Sequence, residues 1–130
     1  MQTTIKVRGY HLDVYQHVNN ARYLEFLEEA RWEWLEEVEA FHWLQEQKLA
    51  FVVVNINYRR PAVLGDVLTI DSEITQLNGK SGIIAQRVLL AGQETVVADA
   101  ALTFVCIDLR TQKAVALEGE LRERLMRLMA

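Results

Sequence analysis

The chain has 130 residues, a formal net charge of −4 and one cysteine; about half of its residues are apolar and a quarter are charged. That is the ordinary soluble mix at the length of one domain; it excludes an intrachain disulfide and argues against a nucleic-acid binder, which would carry a basic face. With no apolar signal core after Met1 and no apolar run of membrane-spanning length, the expectation is one soluble, cytoplasmic domain over 1–130 that does not enter a membrane.

From Thr3 to Tyr10 the chain alternates, with Ile5, Val7 and Gly9 against Lys6 and Arg8. This predicts a half-buried strand that delivers Tyr10, His11 and Asp13 to a turn. Asn19 and Asn20 are good N-cap residues, because a short amide oxygen can accept the free N–H groups of a first helical turn. A helix is expected from Asn20 to Val38, roughly 27 Å at 1.5 Å per residue. Tyr23, Phe26, Leu27, Ala30 and Trp34 form its apolar stripe, and Arg22, Glu25, Glu29, Glu33 and Glu36 fall mostly opposite. Phe41 to Lys48 reads as a short second helix anchored by Phe41, Trp43 and Leu44.

From Ala50 the pattern becomes that of strands. Phe51 to Tyr58 is β-branched and apolar on both faces, and Arg59-Arg60-Pro61 ends it because proline cannot donate to a ladder. Ala62 to Asp66 is a turn. Val67 to Leu77 is a long strand with Leu68, Ile70 and Ile74 facing one way. Asn78-Gly79 signals a hairpin, widened by Lys80-Ser-Gly82, and Ile83 to Leu90 returns. Ala91 to Glu94 turns again, and Thr95 to Leu109 is the longest strand. Arg110 to Lys113 is a loop, Lys113 to Leu117 is expected to extend the strand, and Leu121, Leu125 and Leu128 mark a last amphipathic helix. The order is strand, long helix, then a run of antiparallel strands: an α+β domain with a curved sheet wrapped on one helix.

Asp13, His17, Asn19 and Asn20 gather at the positive end of that helix. An acid and several amide donors held there can bind, and attack, a polarised carbonyl.

The residues that carry this chemistry also resemble a known family. Asp13-Val-Tyr-Gln-His17-Val-Asn-Asn-Ala-Arg-Tyr23, followed by Glu28-Glu-Ala-Arg31, is similar to the opening of the hot-dog-fold acyl-CoA thioesterases of the 4-hydroxybenzoyl-CoA thioesterase-like family. Asn57-Tyr-Arg-Arg-Pro-Ala62 with Gly65-Asp66, and Val97-Ala-Asp-Ala with Phe104-Val-Cys-Ile-Asp108, resemble its later blocks, in order and over nearly the whole chain. Within the family the chain looks most like the bacterial long-chain acyl-CoA thioesterases of fatty-acid metabolism. The resemblance implies a hot-dog fold, in which the curved antiparallel sheet wraps one long central helix, and hydrolysis of an acyl-CoA substrate without cofactor or metal. It also implies a homodimer at least, often a homotetramer. One departure is Gln16, where many members have glycine before the histidine; glutamine turns less freely.

Asp13 is the residue the resemblance makes nucleophile or general base. The first free N–H groups of the helix, near Asn20, would hold the oxyanion. Alone, Asp13 would read as a turn aspartate bonded to its own backbone. His17 either orients Asp13, water or substrate, or ties the turn together. His11, Asp13 and His17 also make a conceivable metal triad, but their spacing matches no compact metal motif. Asn19 and Asn20 are explained by capping alone, and Tyr23 by the core, with its hydroxyl lining an acyl tunnel as the alternative reading. Trp32, Trp34, Phe41 and Trp43 are core or interface residues by default, and tunnel lining on the sharper reading. Arg59 or Arg60 contacts CoA phosphate, or else the pair guards a solvated edge; Lys80 has the same two readings. Cys106 is a buried core residue. A hot-dog dehydratase or hydratase, and a non-catalytic acyl-binding module, remain as alternatives.

Overall fold

The structure is a computed structural model that describes residues 2–38 and 47–129. Strand β1 is Gln2–Lys6, helix α1 Asn20–Glu37, β2 Gln47–Tyr58, β3 Val67–Leu77, β4 Gly82–Leu90, β5 Val96–Asp108 and helix α2 Gly119–Met126. The strands form one antiparallel five-stranded sheet in the order β1-β3-β4-β5-β2, with α1 packed on it. Register at the β1 edge pairs Gln2 with Asp71 and Lys6 with Val67. Among the described residues no helix is long and apolar enough to cross a membrane.

The chain divides into two compact units. The first gathers Met1–Trp34, Ile56–Ser72 and Gln86–Ala100. Its core is the expected helix stripe, Tyr23, Phe26, Leu27, Ala30 and Trp34, with Leu68, Ile70 and Val88 of the sheet. Glu25, Glu29, Glu33 and Glu36 stay exposed, as an amphipathic helix requires. The second unit gathers Leu35–Asn55, Glu73–Ala85 and Ala101–Ala130 around Ile84, Leu102, Phe104 and Leu125. Gly82 is needed there: a Cβ would lie 2.5 Å from the Phe104 ring. Arg122 of α2 donates to the C=O groups of Leu117, Asn78 and Leu77, tying the helix to the β3–β4 turn.

Three expectations need correction. The first strand ends at Lys6, because Gly9–His11 winds into a single 3₁₀ turn whose chain ends are held by Val7, Arg8 and Leu12 backbone bonds. Residues 113–117 do not extend β5 but fold back beside it: Lys113 C=O accepts from Asp108 N–H at 2.9 Å and Val115 N–H donates to Cys106 C=O at 2.9 Å. The expected short helix lies outside the described residues over 41–46, and its last two positions, Gln47 and Lys48, already belong to β2. Phe41 and Trp43 therefore receive no placement.

Strand β2 is the sheet edge opposite β1. Val52, Val53 and Val54 are 58, 54 and 45% exposed, so both of its faces show valine to solvent.

Candidate active site

The site lies in the first unit, between the 3₁₀ turn and the first turn of α1. Leu12 and Val18 form an isolated antiparallel bridge that pinches off the loop Asp13–His17. Inside it Asp13 N–H donates to His17 C=O at 2.8 Å, and Gln16 N–H to Asp13 C=O at 3.0 Å. The loop closes because Gln16 takes φ +64, the left-handed region that glycine fills without strain. Gln16 therefore keeps the turn that a glycine would make, at an energetic cost.

Asp13 is half-buried and its two oxygens differ. Oδ1 accepts the N–H of Tyr15 at 2.8 Å and of His17 at 3.3 Å. Oδ2 has no protein donor among the described residues. The turn bonding and the free oxygen thus coexist in one side chain. The His17 backbone, not its exposed imidazole, holds Asp13, and that imidazole makes no hydrogen bond among the described residues.

Asn19 is the N-cap. Its Oδ1 accepts from Ala21 N–H at 2.9 Å, its C=O accepts from Arg22 N–H at 2.9 Å, and its own N–H is anchored on His11 C=O at 2.9 Å. Those bonds consume the second and third donors of the helix. The N–H of Asn20, the first helical residue, has no acceptor among the described residues. One main-chain donor at the positive helix end is left open. The Asn20 C=O, in turn, accepts the Tyr58 hydroxyl at 3.2 Å.

His11 supports this arrangement from beneath. Its Nδ1 accepts from Arg8 N–H at 2.8 Å, which puts the proton of the neutral ring on Nε2. The ring packs edge-on against Phe26 at 4.9 Å. Burial lowers its pKa, with Arg22 and Arg8 adding to the effect and Glu25 and Glu29 opposing it. Tyr23 is 2% exposed and packs on Tyr58 at 5.5 Å and Phe26 at 5.9 Å. Burial raises the pKa of its hydroxyl; the Ala62 backbone offsets part of that shift without reaching hydrogen-bonding geometry, so the hydroxyl is unpartnered among the described residues.

Arg59 and Arg60 are placed differently. The N–H groups of both donate to Val97 C=O, at 2.8 and 3.2 Å, two residues opposite one in the manner of a β-bulge. Tyr58 points to α1, so the preceding and following side chains point to the other face. There Asp99 accepts Arg59 Nε at 2.7 Å, Arg59 Nη2 at 3.3 Å and Asn57 Nδ2 at 3.0 Å. The Arg59 hydrogen bonds, assisted by Asn57, hold the Asp99 carboxyl below its ordinary pKa. Arg60 makes no ion pair among the described residues, and no described contact joins either arginine to Asp13 of the same chain.

Of the other candidates, Trp34 and Cys106 are core. Trp34 is buried and Trp32 is exposed on α1. Burial pushes the Cys106 thiol up to about 11, which leaves it protonated and inert. No three His, Cys, Asp or Glu side chains converge as a metal site among the described residues. Tyr58, Asn57, Asp99 and Gln86 escaped the sequence reading as site or support residues. The inward alternation of Ile84, Gln86 and Val88 is the signal for Gln86, and Asn57, Tyr58 and Asp99 lie inside the family blocks quoted above, where no role was read for them.

A loop carboxylate with a free oxygen and an open helix-start N–H can, between them, attack and polarise a carbonyl. The chain belongs to the thioesterase-like superfamily, whose family model matches residues 7–125. It is 71% identical over 127 residues to the long-chain acyl-CoA thioesterase FadM of Escherichia coli K12, with 96% of each chain covered. The acyl-CoA thioesterase YbgC of Haemophilus influenzae shares 35% over 109 residues, 81% of this chain and 79% of that one. The crystal structure of YbaW, a probable thioesterase from E. coli, superposes with a TM-score of 0.95 at 65% identity, covering 100% of this chain and 99% of the other. The α+β architecture is thus the hot-dog fold that the resemblance implied.

Proposed function

We propose that the chain hydrolyses acyl-CoA thioesters, long-chain ones in preference, to free acid and CoA. The carrying observation is the pairing of a loop carboxylate with a free Oδ2 and a helix whose cap leaves one N–H open. The FadM similarity supports the substrate class. Asp13 either accepts a proton from water as the water oxygen bonds to the thioester carbon, or attacks that carbon itself. The carbonyl oxygen becomes an oxyanion facing the Asn20 N–H. Its collapse breaks the C–S bond and CoA leaves as thiolate. On the water route the thiolate takes up the proton held by Asp13; on the direct route water then hydrolyses the acyl–Asp13 anhydride, which releases the acid, restores the carboxylate and supplies that proton. No step calls on a cofactor or metal. Asn19 positions the donor, Tyr23 and Tyr58 wall the helix start, and His17, exposed beside Asp13, is available to substrate.

The active unit is at least a homodimer, formed through the valine-bearing β2 edge, with a homotetramer as the fuller assembly. Arg59, which faces away from its own α1, or else Arg60, reaches the partner's site and meets CoA phosphate there. Residues 1–130 act as one cytoplasmic domain, since β3, β4 and β5 each pass through both units without a break.

The test is a panel of acyl-CoAs from acetyl to long-chain, with aromatic ones, read by a thiol reagent. Each buried methylene is worth about 0.8 kcal/mol, so kcat/KM should climb with chain length. No thiol release from any member would leave the dehydratase or the binding module instead, and thermal stabilisation without turnover would select the latter.

A further inference from the structure

On the sheet face that meets α1, β3 presents Leu68, Ile70 and Ser72, and β4 presents Gln86 and Val88. Gln86 is fully buried among them. Its Nε2 donates to Leu27 C=O at 3.0 Å and to Ser72 Oγ at 2.9 Å, and its Oε1 accepts from Arg31 Nη1 at 3.1 Å. The partners settle which end is nitrogen, because a carbonyl only accepts and a guanidinium only donates. Two of the three bonds run to α1, one turn apart.

A buried amide in an apolar interface is no better for stability than a well-packed aliphatic chain. What it adds is register. The stripe Tyr23, Phe26, Leu27, Ala30 and Trp34 grips by area alone and has no directional preference. A polar anchor in such a seam selects one alignment. Bonds at both Leu27 and Arg31 fix rotation as well as translation. Leu27 lies seven residues from Asn20, about 10.5 Å along a rigid helix, so any slide at the anchor reaches the helix start undiminished.

We propose that Gln86 is a positioning residue for hydrolysis: it sets the axial position and rotation of α1, and so places the Asn20 N–H against the thioester oxygen. The proposal rests on the hydrolase reading above. It assigns to a side chain on β4, two turns of helix from the chemistry, the alignment of a main-chain donor.

The experiment compares Gln86→Met, which keeps length and loses all three bonds, with Ser72→Ala, which loses only the bond within the sheet. A misplacement near 1 Å costs on the order of 10²-fold, so Gln86→Met should lower kcat roughly 10- to 100-fold. KM should stay within about threefold, because the lost alignment matters in the transition state. Both variants should melt lower, because each leaves buried groups of the network without a partner, Gln86→Met more so than Ser72→Ala, but Ser72→Ala should keep kcat in full. Deuterium exchange at Asn20 to Tyr23 should quicken in Gln86→Met and not in Ser72→Ala. If kcat falls in both variants in proportion to melting temperature, or if Gln86→Met retains kcat, the proposal is overturned. Should Gln86→Met not fold, Arg31→Met removes one of the two helix-directed bonds, and an unchanged kcat there overturns it equally. A wild-type chain inert to every acyl-CoA would refute the hydrolase reading, while the exchange measurement still decides the anchoring: unchanged exchange in Gln86→Met overturns it.

Discussion

A main-chain donor is normally beyond the reach of mutagenesis, but Asn20 is an exception. It is the first residue of α1, where proline fits: its φ suits the helix and its missing N–H is one the helix does not use. The side chain is exposed, so a pyrrolidine ring meets solvent. Proline also holds the preceding residue extended, which is the usual N-cap conformation for Asn19. The Asn19 bonds to Ala21 and Arg22, and the Tyr58 bond to the Asn20 C=O, all survive. Asn20→Pro therefore deletes one atom pair, N–H, and little else. Losing one oxyanion donor costs about 10²–10³ in kcat, or roughly 2.7–4 kcal/mol of barrier. The assay is steady-state thiol release from a long-chain acyl-CoA, with far-ultraviolet circular dichroism to confirm the helix. Asn20→Ala, which keeps the N–H, should remain near wild type. If Asn20→Pro is folded and loses less than about threefold, the oxyanion is held elsewhere and the helix start is not the catalytic donor.

Asp13→Asn should fold normally, because Oδ1 still accepts both turn N–H groups, and should lose about 10²–10⁴ in rate; Asp13→Ala should lose that rate and about 1–2 kcal/mol of stability as well. Gln16→Gly should raise stability by up to about 1 kcal/mol in denaturant melts by relieving the left-handed residue, and a loss would show that the Gln16 side chain contributes something the turn geometry conceals. His11 refuses a proton that its unfolded form accepts near pH 6.5, so wild-type stability should fall as pH drops from 6.5 through the lower folded value; His11→Phe should flatten that slope, and parallel profiles would refute it. Asp13→Asn in one copy, co-expressed with Arg59→Glu and Arg60→Glu in another, should recover activity in the mixed oligomer from two nearly inactive parents, since one site receives both lesions and the other neither. A purified hetero-oligomer as inactive as its parents would mean that the site is not shared in this way.

What the sequence made legible was local. The bounds of β3, Val67 to Leu77, follow from its own alternation and flanking turns, and the start of α1 follows from Asn19 and the stripe behind it. Asp13 and the helix start are seven residues apart and were found together for that reason. The overlong first strand and the misread return at 113–117 share one cause: apolar alternation does not reveal where a chain leaves its neighbour. Tyr58 on Asn20, Asp99 on Arg59 and Gln86 on Leu27 span 38, 40 and 59 residues. Such pairs are created by sheet order and helix placement, and no single stretch encodes them. Gln16 shows the converse case, a residue poorly suited to its conformation that is held there by the bonds around it.

The valines of β2 have a further consequence, in temperature. Burial of apolar surface is driven mainly by entropy near room temperature and weakens on cooling. In the dimer proposed above, whatever share of the association Val52, Val53 and Val54 carry should therefore loosen in the cold, against the trend for hydrogen-bonded contacts. Cooled, dilute protein would present that edge to solvent again, open to any extended chain that arrives. Warming, within the limit set by unfolding, would favour the assembled form.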